Sequence, residues 1–368
     1  MLMVLTHQSA SAVGVVMALQ FAPQLLFLPW TGSAADHLDQ RKLLIATQAA
    51  MGLLALALGL LTVTGVVQLW HVYVFAFLFG AAAAFDSPAR QVFVSQLVGD
   101  KDLPNAVSLN AMSFNIGNLI GPAVAGLLIA AVGEGWAFLL NGGSFLAVLS
   151  SLLLLRMGEI HPVARARRTR GSFVEGLRYV ARRRDLVAIL VMLFLIGTFG
   201  LNFPIFISTM AVREFHADAR GFGVLSSALA AGTFCGALIS MRRSHPTPTT
   251  MLWSAGLVGV GFTLASVAPT YWSFAAALVV VGVAYLVFFV ASNALMQLST
   301  EPAMRGRVMA LRVGVALGGT PIGAPMVGWV ADHFGPRWAL GVGAASGFAA
   351  ALVGGYALLR RANGSRPH

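Results

Sequence analysis

The stretch that decides the fold is Gly32-Ser-Ala-Ala-Asp36-His37-Leu38-Asp39-Gln40-Arg41-Lys42. It separates two long apolar runs, and it places a glycine and a carboxylate one helical turn apart before a charged turn that ends in two cations. A helix needs about 20 apolar residues to cross a bilayer, and both flanking runs approach that length. We therefore interpret the stretch as a short loop between two membrane helices.

Composition extends this interpretation to the whole chain. Hydrophobic residues make up 58% and charged residues 10% of the sequence, and the mean hydropathy is +0.80, far from the balance of a soluble domain. The apolar runs are continuous rather than alternating, which favours helices. We predict an all-α polytopic membrane protein with eleven visible spans: 11–30, 43–66, 70–89, 107–132, 136–155, 187–209, 222–240, 251–269, 274–296, 309–331 and 338–360.

The net charge of +11 could suggest nucleic-acid binding, but the positions of the cations argue against it. If Arg41 and Lys42 face the cytoplasm, alternating spans place 21 of the 24 Lys and Arg residues on that side. Arg213, Arg220 and Arg337 fall outside. This is the positive-inside pattern of a multi-pass protein. We predict the cell inner (cytoplasmic) membrane, a cytoplasmic C-terminus and no nucleic-acid partner.

An internal repeat divides the chain into related halves. A shift of 202 residues aligns two series with the same spacing: Gly121, Gly126, Gly133 and Trp136 with Gly323, Gly328, Gly335 and Trp338. We predict an N-terminal helical bundle at 1–155 with five spans and a C-terminal bundle at 186–360 with six. A basic amphipathic linker at 156–185 lies on the inner membrane surface, and 361–368 is a basic cytoplasmic tail.

The halves are unequal, because span 187–209 has no counterpart before the linker. Met1-Leu-Met-Val-Leu-Thr6 has the composition of the end of a helix. We therefore expect twelve spans in two pseudo-symmetric bundles, with the first span missing through truncation or a misplaced start codon.

Six motifs in order resemble the major facilitator superfamily over nearly the whole chain, and more narrowly its bacterial drug and siderophore efflux branch of enterobactin-exporter-like proteins. The motifs are Gly32…Asp36…Arg41-Lys42, Phe85–Gln91 running into Leu103–Val107, Gly117-x3-Gly121-Pro122-x3-Gly126, Glu175–Val180, Gly197–Pro204 and Met304–Ala310. The resemblance implies two helical bundles that rock about a central cavity.

The resemblance also implies a function. We expect a secondary active transporter that exports small amphiphilic molecules such as a drug, a siderophore or a metabolite by alternating access. The proton gradient is the expected energy source, with no bound cofactor, no metal and a monomeric state. The chain is not expected to be an enzyme. The alternatives are a solute uptake carrier of the same fold, or a non-transporting or inactive truncated membrane protein.

One group of residues is assigned to a cytoplasmic gate. A carboxylate at the cytoplasmic end of a helix faces an unfavourable dipole and needs partners from elsewhere. By resemblance, the partner of Asp36 is the helix that begins near Arg307, and Arg41 is the expected counter-ion of Asp86. The full gating set is Gly32, Asp36, Arg41, Lys42, Asp86, Arg90, Arg305 and Arg307.

A second group is assigned to the transport path. Gly117, Gly121, Pro122 and Gly126 expose backbone on one helix face, and Pro122 is expected to bend the helix; ordinary close packing is the alternative. Polar side chains within spans either contact substrate or hydrogen-bond to other helices. These substrate-cavity candidates are Gln24, Asn115, Asn118, Asn141, Asn202, Phe203, Asn293 and Arg312. No carboxylate lies deep in a visible span, so the proton-carrying acid stays unassigned.

Overall fold

A computed structural model describes residues 9–27, 30–31, 38–98, 102–156, 172–241, 247–301 and 304–364. Helices account for nearly all of these residues, and no strand occurs among them. The chain divides into two compact units. The first contains residues 1–7 and 15–167, and the second contains residues 8–14 and 168–368. The bundle and linker boundaries expected from the sequence stay predictions.

The helices follow the apolar runs of the sequence. Those of the first part of the chain are α1 (Ala10–Leu26), α2 (Gln40–Val63), α3 (Leu69–Leu97) and α4 (Leu103–Leu154). The short amphipathic helix α5 (Ser172–Ala181) follows. The remaining helices are α6 (Arg184–Leu195), α7 (Phe203–Thr209), α8 (Ala219–Met241), α9 (Pro248–Val267), α10 (Tyr271–Leu298), α11 (Arg305–Gly318), α12 (Thr320–Phe334) and α13 (Pro336–Gly364).

The predicted spans coincide with these helices. Among the described residues, 9 helical segments are long and apolar enough to cross a membrane. The number is lower than the eleven predicted spans for two reasons. Helix α1 has 17 residues and falls below the required length, and α4 contains two predicted spans, 107–132 and 136–155. The fold class predicted from the sequence, an all-α membrane protein, is confirmed.

The boundary between those two spans is a single residue. Gly133 has φ 84° and ψ 169°, and it interrupts an otherwise continuous helix. Gly335, its counterpart in the 202-residue repeat, has φ 100° and ψ 163° and separates α12 from α13. This backbone region is open essentially to glycine alone. The repeat seen in the sequence is thus reproduced in backbone conformation.

We expect Gly335→Ala to destabilise the protein by about 1–3 kcal/mol, because a Cβ is strained at this φ and ψ. Gly341→Ala is the matched control. Gly341 lies inside α13, and no described heavy atom lies within 4 Å of the place where its Cβ would stand. Thermal unfolding in detergent micelles measures both variants. Equal melting temperatures for the two would contradict the assignment of strain to Gly335.

The first spanning segment of the second unit is not a uniform helix. Between α6 and α7 lies a π-helical turn at Ile196–Gly200, and a second follows α7 at Met210–Glu214. Leu201 and Asn202 have non-helical dihedral angles. The Nδ2 of Asn202 donates to the carbonyl oxygen of Thr198 at 2.8 Å. In an apolar environment freed carbonyl groups need such partners, so this amide stabilises the interruption.

Candidate gate and substrate sites

Asp86, near the end of the apolar part of α3, is the centre of a hydrogen-bonded cluster in the first unit. It is 5% exposed. Its Oδ1 accepts hydrogen bonds from Thr47 Oγ1 at 2.8 Å and Gln48 Nε2 at 2.7 Å, both on α2. Its Oδ2 accepts from Arg90 Nη2 at 2.7 Å and Nε at 3.2 Å. The cluster joins α2 to α3 through one fully partnered carboxylate.

The cation bound to Asp86 is therefore Arg90, one turn further along the same helix, and not Arg41 as expected. Arg41 donates through Nε to the carbonyl oxygen of Leu152 at 2.7 Å and through Nη2 to that of Leu153 at 2.8 Å. These carbonyls belong to the last turn of α4, where a cation interacts favourably with the helix dipole. Arg41 thus joins α2 to α4.

The other residues of the proposed gate do not belong to the cluster around Asp86. Gly32 and Asp36 lie outside the described residues. Lys42 is exposed, and its backbone amide donates to Asp39 Oδ1 at the start of α2. The helix expected to begin near Arg307 does begin there, with Arg305 as its first residue.

Arg305 and Arg307 bind groups within the second unit. Arg305 Nε donates to the carbonyl oxygen of Thr300 at 3.2 Å. Arg307 forms an ion pair with Glu175 of α5 at 2.7 Å, and Gly176 lies close against it, because a Cβ there would stand 3.1 Å from Arg307 Cβ. The amphipathic helix α5 is thus held against the start of α11.

The start of α6 carries another ion pair. Arg183 Nη2 lies 2.7 Å from Asp185 Oδ2 and 3.1 Å from the carbonyl oxygen of Ser299, to which it donates. The hydrogen bond to Asp185 raises the pKa of Arg183. The pair links α6 to the end of α10.

The predicted cavity helix forms the first arm of α4. Pro122 lies inside the helix, and the non-helical residue of α4 is Gly133. Gly117 and Gly121 have no described heavy atom within 4 Å of an added Cβ, whereas Gly126 is buried. Gly121 borders a cavity of about 600 Å³ between the two arms of α4. Asn115 and Asn118 lie on this arm, but their side chains are outside the described part.

The counterparts of these glycines in the second unit are tightly packed. Gly319 and Gly323 correspond to Gly117 and Gly121 in the repeat, and a Cβ at either would overlap Thr198. At Gly323 the overlap is with the Thr198 carbonyl oxygen. The same glycine spacing therefore serves close helix packing in one unit and an open surface in the other.

A second cavity in the first unit, of about 350 Å³, has a mainly aromatic and aliphatic wall. It is lined by Gln20 of α1, by Phe75 and Phe79 of α3, and by Phe138 and Asn141 of α4. Asn141, a predicted substrate-cavity residue, also lines the larger cavity. Gln24 is half-buried one turn beyond Gln20. The amides and phenylalanines expected in a cavity wall are thus partly brought together.

In the second unit, Arg312 and Phe203 belong to a connected aromatic group. The Arg312 guanidinium lies 5.5 Å from the ring centre of Phe289. The ring of Tyr285 contacts Phe289 at 4.7 Å and Phe203 at 5.4 Å between centroids. Asn202 is fully buried and Asn293 half-buried. Asn202 Nδ2 donates to the Thr198 carbonyl oxygen, while its Oδ1 is buried without a partner among the described residues, and its assignment to a substrate cavity stays a prediction.

Two ion pairs lie at the ends of the second unit's helices that the sequence assigns to the outer side. Arg213 pairs with Asp332 at 2.5 Å, and Arg337 pairs with Glu214 at 3.1 Å. Asp332 also accepts hydrogen bonds from the backbone amides of Ala10 and Ser11, at 2.8 Å each. These pairs neutralise two of the three cations that depart from the positive-inside pattern. Sequence reasoning missed them because the partners are far apart in the chain.

Comparison with known families decides the identity. The model of the family described as transmembrane secretion effector, within the major facilitator superfamily, matches residues 1–366. The chain belongs to this family. It is therefore a transporter of the major facilitator fold, and not an enzyme, as the motifs predicted.

Two relatives of this major facilitator protein have named activities. The multidrug efflux pump Tap of Mycolicibacterium fortuitum is 27% identical over 347 residues, which cover 90% of this chain and 84% of the relative. The enterobactin exporter EntS of Shigella flexneri is 24% identical over 359 residues, covering 96% and 84%. The predicted resemblance to the drug and siderophore efflux branch is confirmed.

Solved structures confirm the major facilitator fold. A bacterial homologue of the human lysosomal transporter Spinster, inward-facing and unoccupied, has a TM-score of 0.69 at 16% identity, over 95% of this chain and 88% of that one. A mutant of the nucleoside transporter NupG has a TM-score of 0.77 at 13% identity, over 97% and 93%. At these identities the likeness concerns the fold alone.

Proposed function

We propose that this transporter exports small amphiphilic molecules, such as drugs, siderophores or metabolites, across the inner membrane. The observation that carries the proposal is the similarity to an efflux pump and to an exporter over 84% of the length of each. The mixed amide and aromatic wall of the 350 Å³ cavity supports it, because such walls accommodate varied apolar ligands with few polar contacts.

Alternating access is the proposed mechanism, with the cluster around Asp86 as part of the cytoplasmic gate. The cluster fixes α2 against α3, and Arg41 fixes α2 against α4. Helices that are joined by charge-assisted hydrogen bonds tend to move together. We propose that these three helices move as one body when the transporter changes conformation.

We propose the proton gradient as the energy source, a monomeric state and a cytoplasmic C-terminus. The orientation is supported by the concentration of cations in alternate loops. A proton gradient accounts for transport without a nucleotide, since the sequence lacks the phosphate-binding loop of a primary pump.

Efflux from preloaded cells tests direction and coupling together. Cells that express the transporter are loaded with a fluorescent amphiphile and compared with cells carrying the empty vector, with and without a protonophore. We expect faster loss of dye from expressing cells and no difference after the protonophore. Faster accumulation in expressing cells would overturn export in favour of uptake. Efflux unaffected by the protonophore would overturn proton coupling alone.

A further inference from the structure

Arg312 is a cation buried within a membrane-spanning segment. It lies on α11 in the segment Arg307–Phe334, and it is 7% exposed. In the described part of the chain, no carboxylate oxygen lies within 4.0 Å of its guanidinium nitrogens. A buried charge without a counter-ion carries a large desolvation penalty, and an ionisable group inside a membrane-spanning segment is by default a candidate for a functional role.

The donors of Arg312 are incompletely used. Nη2 donates to the carbonyl oxygen of Phe289 at 2.9 Å and to Ser292 Oγ at 3.0 Å. Nε is buried and has no hydrogen-bond partner among the described residues. A guanidinium presents its donors in a planar fork that matches the two oxygens of a carboxylate. The Nε donor of this guanidinium therefore has no acceptor among the described residues, although it is buried.

The surroundings of the guanidinium favour a particular kind of anion. Phe289 lies beside it, Tyr285 contacts Phe289, and Phe203 contacts Tyr285, so that a row of rings leads away from the charge. All three aromatic side chains are half-buried and retain exposed surface. Aromatic faces and edges bind other flat rings in stacked or edge-to-face arrangements. An anion attached to an aromatic body fits both features.

We propose that Arg312, Ser292, Phe289, Tyr285 and Phe203 form a binding site for aromatic amphiphiles that carry an anionic group. Arg312 binds the anion through its free donor, and the three rings bind the apolar body. This inference rests on the proposed export function and specifies its substrate class. It also accounts for a buried cation that helix packing alone does not need, since one hydrogen bond from a neutral amide would join α11 to Phe289 equally well.

Binding to the purified transporter tests the site without requiring transport. The probes are 1-pyrenecarboxylate and 1-pyrenecarboxamide, which share size and ring system and differ in charge at neutral pH. We expect the carboxylate to bind about tenfold or more tightly than the amide, as a charge-assisted pair implies. Equal affinities in the unaltered protein would overturn the proposal, whatever the behaviour of any variant.

Three variants then test which residues cause the preference for the carboxylate probe. Arg312→Gln should remove the preference for the carboxylate and leave binding of the amide unchanged. Arg312→Lys should retain part of the preference, because the charge remains and the fork is lost. Phe289→Leu should weaken both probes by a similar factor. A preference that survives Arg312→Gln, or an equal loss of both probes in that variant at unchanged melting temperature, would overturn the site.

Export assays separate this inference from the function on which it rests. Efficient export of neutral and cationic dyes with exclusion of anionic ones would overturn the anion site and leave export standing. Preferential binding of 1-pyrenecarboxylate in a protein that imports its substrates would overturn export and leave the site standing.

Discussion

Replacing Asp86 by alanine is expected to reduce efflux strongly and to lower the stability of the first unit. The change leaves Gln48 Nε2 buried without its acceptor, whereas Thr47 Oγ1 keeps the carbonyl oxygen of Leu44 as an acceptor at 3.1 Å. A buried donor without a partner costs about 1–3 kcal/mol, and this is the expected loss of unfolding free energy. Arg90 adds little, because its side chain is 50% exposed and can turn to solvent.

The effect on transport follows from the same contacts. A change of about 1.4 kcal/mol in the balance between two conformations alters their ratio tenfold. Because the Asp86 cluster joins α2 to α3, its loss is expected to reduce the efflux rate at least about tenfold by that relation. Dye efflux normalised to the amount of protein in the membrane measures transport, and thermal unfolding in detergent measures stability.

Asp86→Asn and Asp102→Asn complete this test. An asparagine at 86 keeps one acceptor oxygen for Thr47 and Gln48 but offers no anion to Arg90, so we expect intermediate stability and impaired efflux. Asp102 is exposed at the start of α4 and makes no side-chain cap. Its amide variant should behave as the unaltered protein. Normal efflux by a well-inserted Asp86→Ala protein would contradict a gating role for this residue.

Gly323→Ala is expected to destabilise the protein strongly, while Gly121→Ala, at the equivalent position of the repeat, is expected to be tolerated. A methyl group at 323 would overlap the carbonyl oxygen of Thr198, which belongs to backbone and cannot rotate away. Overpacking of this kind costs about 1–3 kcal/mol or more. At 121 no described atom is within 4 Å, and alanine gains up to about 1 kcal/mol of helix propensity over glycine.

Each variant serves as the control for the other, because the same glycine-to-alanine substitution is made at equivalent positions of the repeat. Melting temperatures of both proteins in one detergent give the comparison. Gly323→Ala should melt well below the unaltered protein, and Gly121→Ala at the same temperature or above. If both variants lose stability equally, other atoms pack against Gly121 in the protein under test. The difference in packing between Gly121 and Gly323 would then be contradicted.

The sequence predicts the helices well because each is an uninterrupted apolar run, and the period of the pattern needs no tertiary information. The repeat pairs Gly133 with Gly335, but only the structure shows that both adopt the same unusual backbone conformation. The hydrogen-bond partners of polar side chains are not predictable in this way. Thr47 and Gln48 contact Asp86 only because α2 packs on α3 at one register, and sequence spacing on a single helix contains no trace of that register.

The candidate site was predictable to the same limited degree. Arg312 stands out because charges are rare within spans, whereas its neighbours Phe289 and Tyr285 look like any other aromatics in an apolar helix. For Arg41, the residue was recognised from the sequence but its partner was not. Its charge was evident, but a cation near a helix end binds carboxylates and free carbonyl groups alike, and the structure selects the carbonyls of Leu152 and Leu153.

The π-helical turns in the first segment of the second unit change which residues share one face of that segment. An α-helix advances about 100° per residue, and each π turn inserts one residue beyond that regular progression. The turn at Ile196–Gly200 therefore shifts the phase of a helical wheel by about 100°, and the non-helical residues Leu201 and Asn202 interrupt the wheel again before α7 begins. Accessibility labelling along this segment should be read with a separate wheel for residues 184–195 and 203–209. A single wheel would assign lipid-facing positions to the interior.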